Sequence, residues 1–158
     1  MILYRWDRQP EEGLINSSSY LSSDLLEWLT PDGRIQQSSL EQCKALCFFT
    51  EAGKPDLFVA HSTFDRRPKS AGLWTRLFFR DGSVLDGILS HNLLEWPTTG
   101  YLLLPPQARA SRQRIFVPRS ALIATELRGV IGVASGAAAK QAPRAEKSGD
   151  SQLSMFDS

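Results

Sequence analysis

Cysteine and histidine are scarce in this chain, and neither is spaced for chemistry. There are two cysteines, Cys43 and Cys47, and two histidines, His61 and His91. If Cys43-Lys-Ala-Leu-Cys-Phe-Phe49 is a strand, both thiols point to one face, about 13 Å apart. That is too far for a disulfide. Zinc requires further ligands, and the histidines offer no recognised spacing. The reading is two buried structural thiols in a reducing compartment, with no metal and no cofactor. No Gly-x-Ser-x-Gly element accompanies the serines, so a triad drawn from Ser62, His91 and Asp86 lacks its nucleophile elbow. The expectation is a protein that is not an enzyme. The N-terminus has no apolar signal region and no run approaches the ~18 apolar residues of a membrane span. A soluble, cytoplasmic protein with no membrane contact is expected.

Net charge is also small, +1 over 158 residues, but it is unevenly distributed. Residues 1–65 carry five Lys/Arg against ten Asp/Glu, a net of −5, and residues 66–119 carry nine against three, a net of +6. Such asymmetry fits two parts of a domain attracting each other, or a basic part facing an anionic partner. No dense Lys/Arg block of the nucleic-acid-arm kind is present. Arg66, Arg67, Lys69, Arg109, Arg112, Arg114 and Arg119, with Trp74, Trp96 and Tyr101 near them in sequence, form the candidate nucleic-acid contact set. Trp74 is also expected in the core.

What the chain does have is strand and turn grammar. Leu73 to Leu89 (LWTRLFFRDGSVLDGIL) reads as a β-hairpin turning on Asp81-Gly82, because both residues tolerate positive φ. A two-residue loop pairs Arg80 with Ser83, Phe79 with Val84, Phe78 with Leu85 and Trp74 with Leu89. One face then carries Trp74, Phe78, Leu85 and Leu89, and the other Leu77, Phe79, Val84 and Ile88. Both are largely apolar, which places the hairpin inside a packed β structure.

The rest follows the same grammar. Ile2 to Trp6 is a short first strand, and Asn16 to Ser19 a loop or weak edge. Leu25 to Leu29 is a strand entering the Pro31-Asp32-Gly33 turn, where Pro presets φ and Gly takes the positive-φ position. Ser38 to Gln42 is one helical turn, Cys43 to Thr50 a central strand, and Leu57 to Phe64 another. Arg66 to Gly72 is a basic connector broken by Pro68. After the hairpin come short strands at Leu93 to Trp96, Tyr101 to Leu104 and Arg114 to Val117. A helical turn at Pro118 to Leu122 leads into a closing strand, Ile123 to Leu127. One-turn helices between bent strands predict a mainly β fold of one or two small SH3- or Sm-like barrels. The organisation is an N-terminal β half at 1–68, a C-terminal small-barrel half at 69–132, and a tail at 133–158. From Val133 to Ser151 the composition is Ala, Gly, Ser and Lys with no aromatic, read as a flexible linker reaching roughly 24 Å.

Three resemblances bear on function. Arg67-Pro68, Gly72-Leu73-Trp74, Asp81-Gly82, Leu85, Gly87, Asn92-Leu93, Pro105-Pro106, Gln113-Arg114, Val117-Pro118-Arg119, Ala121-Leu122 and Gly129-Val130-Ile131-Gly132 stand in one order. By these residues the chain, over most of 14–132, resembles a family of uncharacterised, mostly acidobacterial proteins. That resemblance implies a compact cytosolic domain and no mechanism. Arg76 and Arg80 with Asp81 and Ser83 are similar to the two elements of PilZ-type cyclic-di-GMP receptors. Here the elements abut and the glycine falls one place late, at Gly87, so ordinary ion-pairing arginines are the better reading.

The third resemblance lies at the far end. Gln152-Leu153-Ser154-Met155-Phe156 resembles the pentapeptide by which bacterial replication and repair proteins bind the DNA polymerase sliding clamp. Met155 replaces the usual Leu, a volume-conserving change. The resemblance implies a hydrogen-bonding role for Gln152, apolar anchors at Leu153, Met155 and Phe156, and a turn-orienting role for Ser154. The resulting expectation is a non-enzymatic adaptor whose β domain is tethered to a clamp-binding peptide. The alternative is a nucleic-acid or ligand-binding module with an incidental tail.

Overall fold

Short apolar runs punctuated by Gly, Pro and Asp form strands, and the strands form three layers. A computed structural model describes residues 1–16, 20, 24–49, 61–106 and 113–132. In chain order its strands are β1 (Ile2–Arg5), β2 (Glu11–Glu12), β3 (Leu25–Leu29), β4 (Ile35–Ser39), β5 (Cys43–Phe48) and β6 (His61–Ser62). They continue with β7 (Gly72–Phe79), β8 (Val84–Leu89), β9 (Gly100–Leu103), β10 (Arg114–Pro118) and β11 (Leu122–Ile131). The chain is mainly β, with single 3-10 turns at Leu40–Gln42, Leu93–Glu95 and Arg119–Ala121. Three sheets result, in the orders β2-β1-β5-β10-β9, β11-β7-β8-β6 and β3-β4. None closes into a barrel among the described residues. Instead, isolated bridges join Leu14 to Leu29 and Ile88 to Leu104. The five-stranded sheet draws strands from both 1–68 and 69–132, because β5 pairs with β10.

That sheet is the middle layer, and strand alternation shows why. Ile2, Ala45, Cys47, Ile115 and Val117 point into one core with Leu77, Phe79, Leu85 and Leu89 of the four-stranded sheet. Leu3, Leu46 and Phe116 point the other way, into a second core with Leu26, Trp28 and Leu40. A sheet buried on both faces needs continuous apolar runs, which is what Cys43–Phe48 and Arg114–Pro118 supply. The β3-β4 hairpin covers its outer side, turning at Gly33 with φ +82°.

The hairpin differs from its expected register by one residue. Phe78 pairs with Val84, Leu77 with Leu85 and Trp74 with Ile88. The loop has three residues, Arg80-Asp81-Gly82, closed by Gly82 N–H to Phe79 C=O at 3.0 Å and Phe79 N–H to Ser83 C=O at 3.0 Å. Gly82 alone takes positive φ, +81°, as the bulge position of such a loop. A one-residue slip exchanges which residues share a face. Leu73, Thr75, Leu77 and Phe79 therefore lie with Leu85, Gly87 and Leu89 on the core side. Trp74, Arg76 and Phe78 lie with Val84, Asp86 and Ile88 on the outer side. Trp74 is thus half-buried on the outer face, not in the core. Gly87 sits where the two sheets approach closely, since a Cβ there would run into the Leu103 side chain.

Other expectations shift locally. Leu93–Glu95 is a 3-10 turn and not a strand, because the Asn92 side chain caps it by accepting the Leu94 N–H at 3.2 Å. Cys43 and Cys47 face opposite cores and not one face. β5 carries one extra residue against β1, where Tyr4 pairs with Ala45 but Arg5 with Cys43, and this bulge reverses the alternation. The closing strand runs on through Gly129-Val130-Ile131 to a length of ten residues. Of Leu57 to Phe64, only His61–Ser62 is in a described strand, paired in parallel with Val84 and Leu85. Residues 17–19, in the Ser/Asn cluster, lie outside the described residues.

Candidate functional site

A buried polar cluster is built by the observed hairpin register. Arg76 and Asp86 are directly opposite on β7 and β8. Asp86 is completely buried. It accepts Arg76 Nε at 2.6 Å and Nη2 at 3.0 Å, the two-pronged geometry that makes Arg–carboxylate pairs strong. It also accepts Trp74 Nε1 at 3.3 Å and the Phe64 N–H at 3.1 Å. The Phe64 bond draws the incoming connector onto the sheet, and the Phe64 ring meets Trp74 edge-on at 6.2 Å. The hydrogen bond to Asp86 holds the Arg76 pKa above its ordinary value, against its own desolvation. The side chains a triad or a phosphate clamp would need, Asp86 and Arg76, are thus joined to each other.

A second cluster links the sheets at the hairpin tip. Lys44 Nζ, nearly buried, pairs with Asp81 and lies 5.1 Å from the Phe79 ring centroid and 5.6 Å from that of Trp6. Arg80 lies over the same Trp6 side chain, 4.7 Å from a ring centroid, and donates to Glu41 C=O at 3.1 Å. Arg80 therefore belongs to the turn and not to a strand. Asp81 also accepts the Ser83 N–H at 3.0 Å and Ser83 Oγ at 2.6 Å. Burial opposes its charged form, but the bonds from Lys44 and Ser83 outweigh this and hold its pKa at about 2. This ion pair joins the acid-rich and base-rich parts with its cation in the acid-rich one, so bulk asymmetry does not predict the contact.

The candidate nucleic-acid residues fall into separate places. Arg66, Arg67 and Lys69 lie in the connector before β7, where Arg67 Nη2 donates to Val130 C=O at 3.2 Å, near the end of β11. Arg119 lies just before the start of β11. It sits 4.6 Å from the Tyr101 ring and donates to Tyr101 Oη at 3.1 Å and Thr98 C=O at 3.3 Å. Trp96 meets Tyr101 edge-on at 5.7 Å. A strand of this length separates the two groups by roughly 30 Å. Arg114 is exposed at the opposite end of β10 from Arg119. Arg109 and Arg112 lie outside the described residues, as do Gln152, Leu153, Ser154, Met155 and Phe156.

Sequence reasoning missed a surface, the edge strand β11. It pairs with β7 alone among the described strands. It exposes Ile123 (71%), Leu127 (58%) and Val130 (57%). A shallow open depression of about 170 Å³ adjoins its start, lined by Tyr101, Arg119 and Leu122 to Thr125. The signal lay in the ten-residue run from Leu122, of which the expected closing strand takes in only Ile123 to Leu127. Among the described residues no group of three or more His, Cys, Asp or Glu is placed to hold a metal. No helix among them is long and apolar enough to cross a membrane.

No curated protein and no solved structure matches the chain. A family model does match, over residues 1–129, which takes in both clusters and nearly all of β11. The chain belongs to DUF6982, a family of unknown function.

Proposed function

We propose that the chain is a non-enzymatic adaptor that carries its β domain to the DNA polymerase sliding clamp through Gln152 to Phe156. The observation that carries this reading is the pentapeptide itself. Leu153, Met155 and Phe156 are the large apolar residues of the 133–158 tail, whose other residues are small or polar apart from Val133. An apolar cluster of this kind in a polar stretch fits a partner groove. The family match ends at residue 129, before this tail, so the peptide is a separate functional element in this reading. Three anchors at about 1.5–3 kcal/mol each, less association and ordering costs, give micromolar affinity. Gln152 adds hydrogen-bond specificity at one end, and Ser154 sets the turn between the anchors.

The test is calorimetric titration of a bacterial sliding clamp with the full chain and with its Leu153→Ala/Phe156→Ala variant. The expected result is binding in the micromolar range, lost in the variant. No heat of binding for the unmodified chain at about 100 µM, a threshold near −5.5 kcal/mol, overturns the reading.

A further inference from the structure

We infer that β11 is a self-association edge at which two copies of this chain pair antiparallel about a two-fold axis through Leu127. An edge strand presents unpaired backbone N–H and C=O groups, and natural proteins shorten, charge or cover such edges. This one is ten residues long. Three large apolar side chains stand along it, each more than half exposed. No other described strand covers it.

The occupant is identified by the charge pattern. Glu126 and Arg128 flank Leu127 and share the outer face. Glu126 lies opposite Arg76 in the ladder, and Arg128 lies 5.8 Å from the Trp74 ring centroid. Within one copy they pair with each other at 2.9 Å. Antiparallel pairing about Leu127 sets Glu126 of one copy against Arg128 of the other, twice. The result is an alternating quartet of charges with Leu127 against Leu127 on the opposite face. Directly opposed unlike charges and apolar pairs are the stabilising cross-strand contacts. A strand of unrelated sequence has no reason to match this pattern, whereas a second copy matches it by symmetry. The register shifts against β7 at Ile123 and at Arg128 bend the strand. They confine regular pairing to a short central stretch, so the interface falls well below the ~1,600 Å² of standard complexes and association is weak.

The test is molar mass against concentration: the full chain is followed by analytical ultracentrifugation up to about 1 mM. Reversible dimerisation is expected. Glu126→Arg and Arg128→Glu each place four like charges at the axis, and each weakens dimerisation at least about ten-fold. An equimolar mixture of the two variants restores association as a heterodimer, because each cation again meets an anion. Leu127→Lys, at an exposed position, carries the test if either charge variant unfolds, which a thermal melt reports. A wild-type chain that stays monomeric overturns the inference. So does a dimer indifferent to Leu127→Lys and to charge reversal, or a variant mixture that fails to recover association.

Discussion

Replacing Asp86 by Ala removes the acceptor that holds β7, β8 and the Phe64 connector together. Asp86 has no exposed surface, and its carboxylate takes four hydrogen bonds from three residues. Losing one member of a buried pair costs about 3–5 kcal/mol because the other charge is stranded. The Arg76 side chain is 24% exposed, so water relieves part of that strain. The part-buried N–H groups of Phe64 and Trp74 lose a charged acceptor worth about 1.5–3 kcal/mol per bond. A loss of about 3 kcal/mol is therefore expected. For a domain of this size, that lowers Tm by about 10 °C. Arg76→Met should cost less, about 2 kcal/mol, because Asp86 keeps the Trp74 and Phe64 donors. The double variant should fall short of the sum by more than about 1 kcal/mol, since the residues are in contact. Urea unfolding of the four proteins with matched m-values measures each value. A loss below about 1 kcal/mol for Asp86→Ala, or simple additivity, refutes the account of Asp86 as a shared acceptor.

Two further outcomes concern Asp81 and the two thiols. Asp81 titrates at about 2 in the folded chain, below its ordinary value of 3.8, so its contribution is complete above the unfolded value and is lost as pH falls through about 2. With its side chain 40% exposed, that contribution is screened to about 1 kcal/mol or less. Asp81→Asn should flatten this part of a stability–pH profile below about pH 5 and leave the profile's shape at neutral pH unchanged. Burial raises both thiols to about 12, so Cys43 and Cys47 should resist alkylation at neutral pH in the folded chain and react on unfolding. Rapid reaction of either under native conditions, read by mass spectrometry, contradicts their placement.

Much of the fold is legible locally. Pro31-Asp32-Gly33 and Asp81-Gly82 announce two hairpins because few residues satisfy positive φ. Cys43–Phe48 announces a central strand because its apolar run lacks alternation. What fails to show in sequence is register. A third loop residue at Arg80 moved every partner in the β7–β8 ladder by one, and a bulge at Cys43 turned its thiol to a different core. Neither leaves a compositional mark, since each depends on which strand lies alongside.

The candidate sites divide the same way. Gln152 to Phe156 is read entirely from sequence, because a linear peptide carries its chemistry in residue order. The Arg76–Asp86 pair, the Lys44–Asp81 contact across 37 positions and the edge of β11 come from tertiary structure alone. Chain order determined which strands and turns form, through backbone preference and apolar pattern. Only the stacking of the sheets decided which charges meet and which strand is left uncovered, because burial and pairing belong to neighbours distant in sequence.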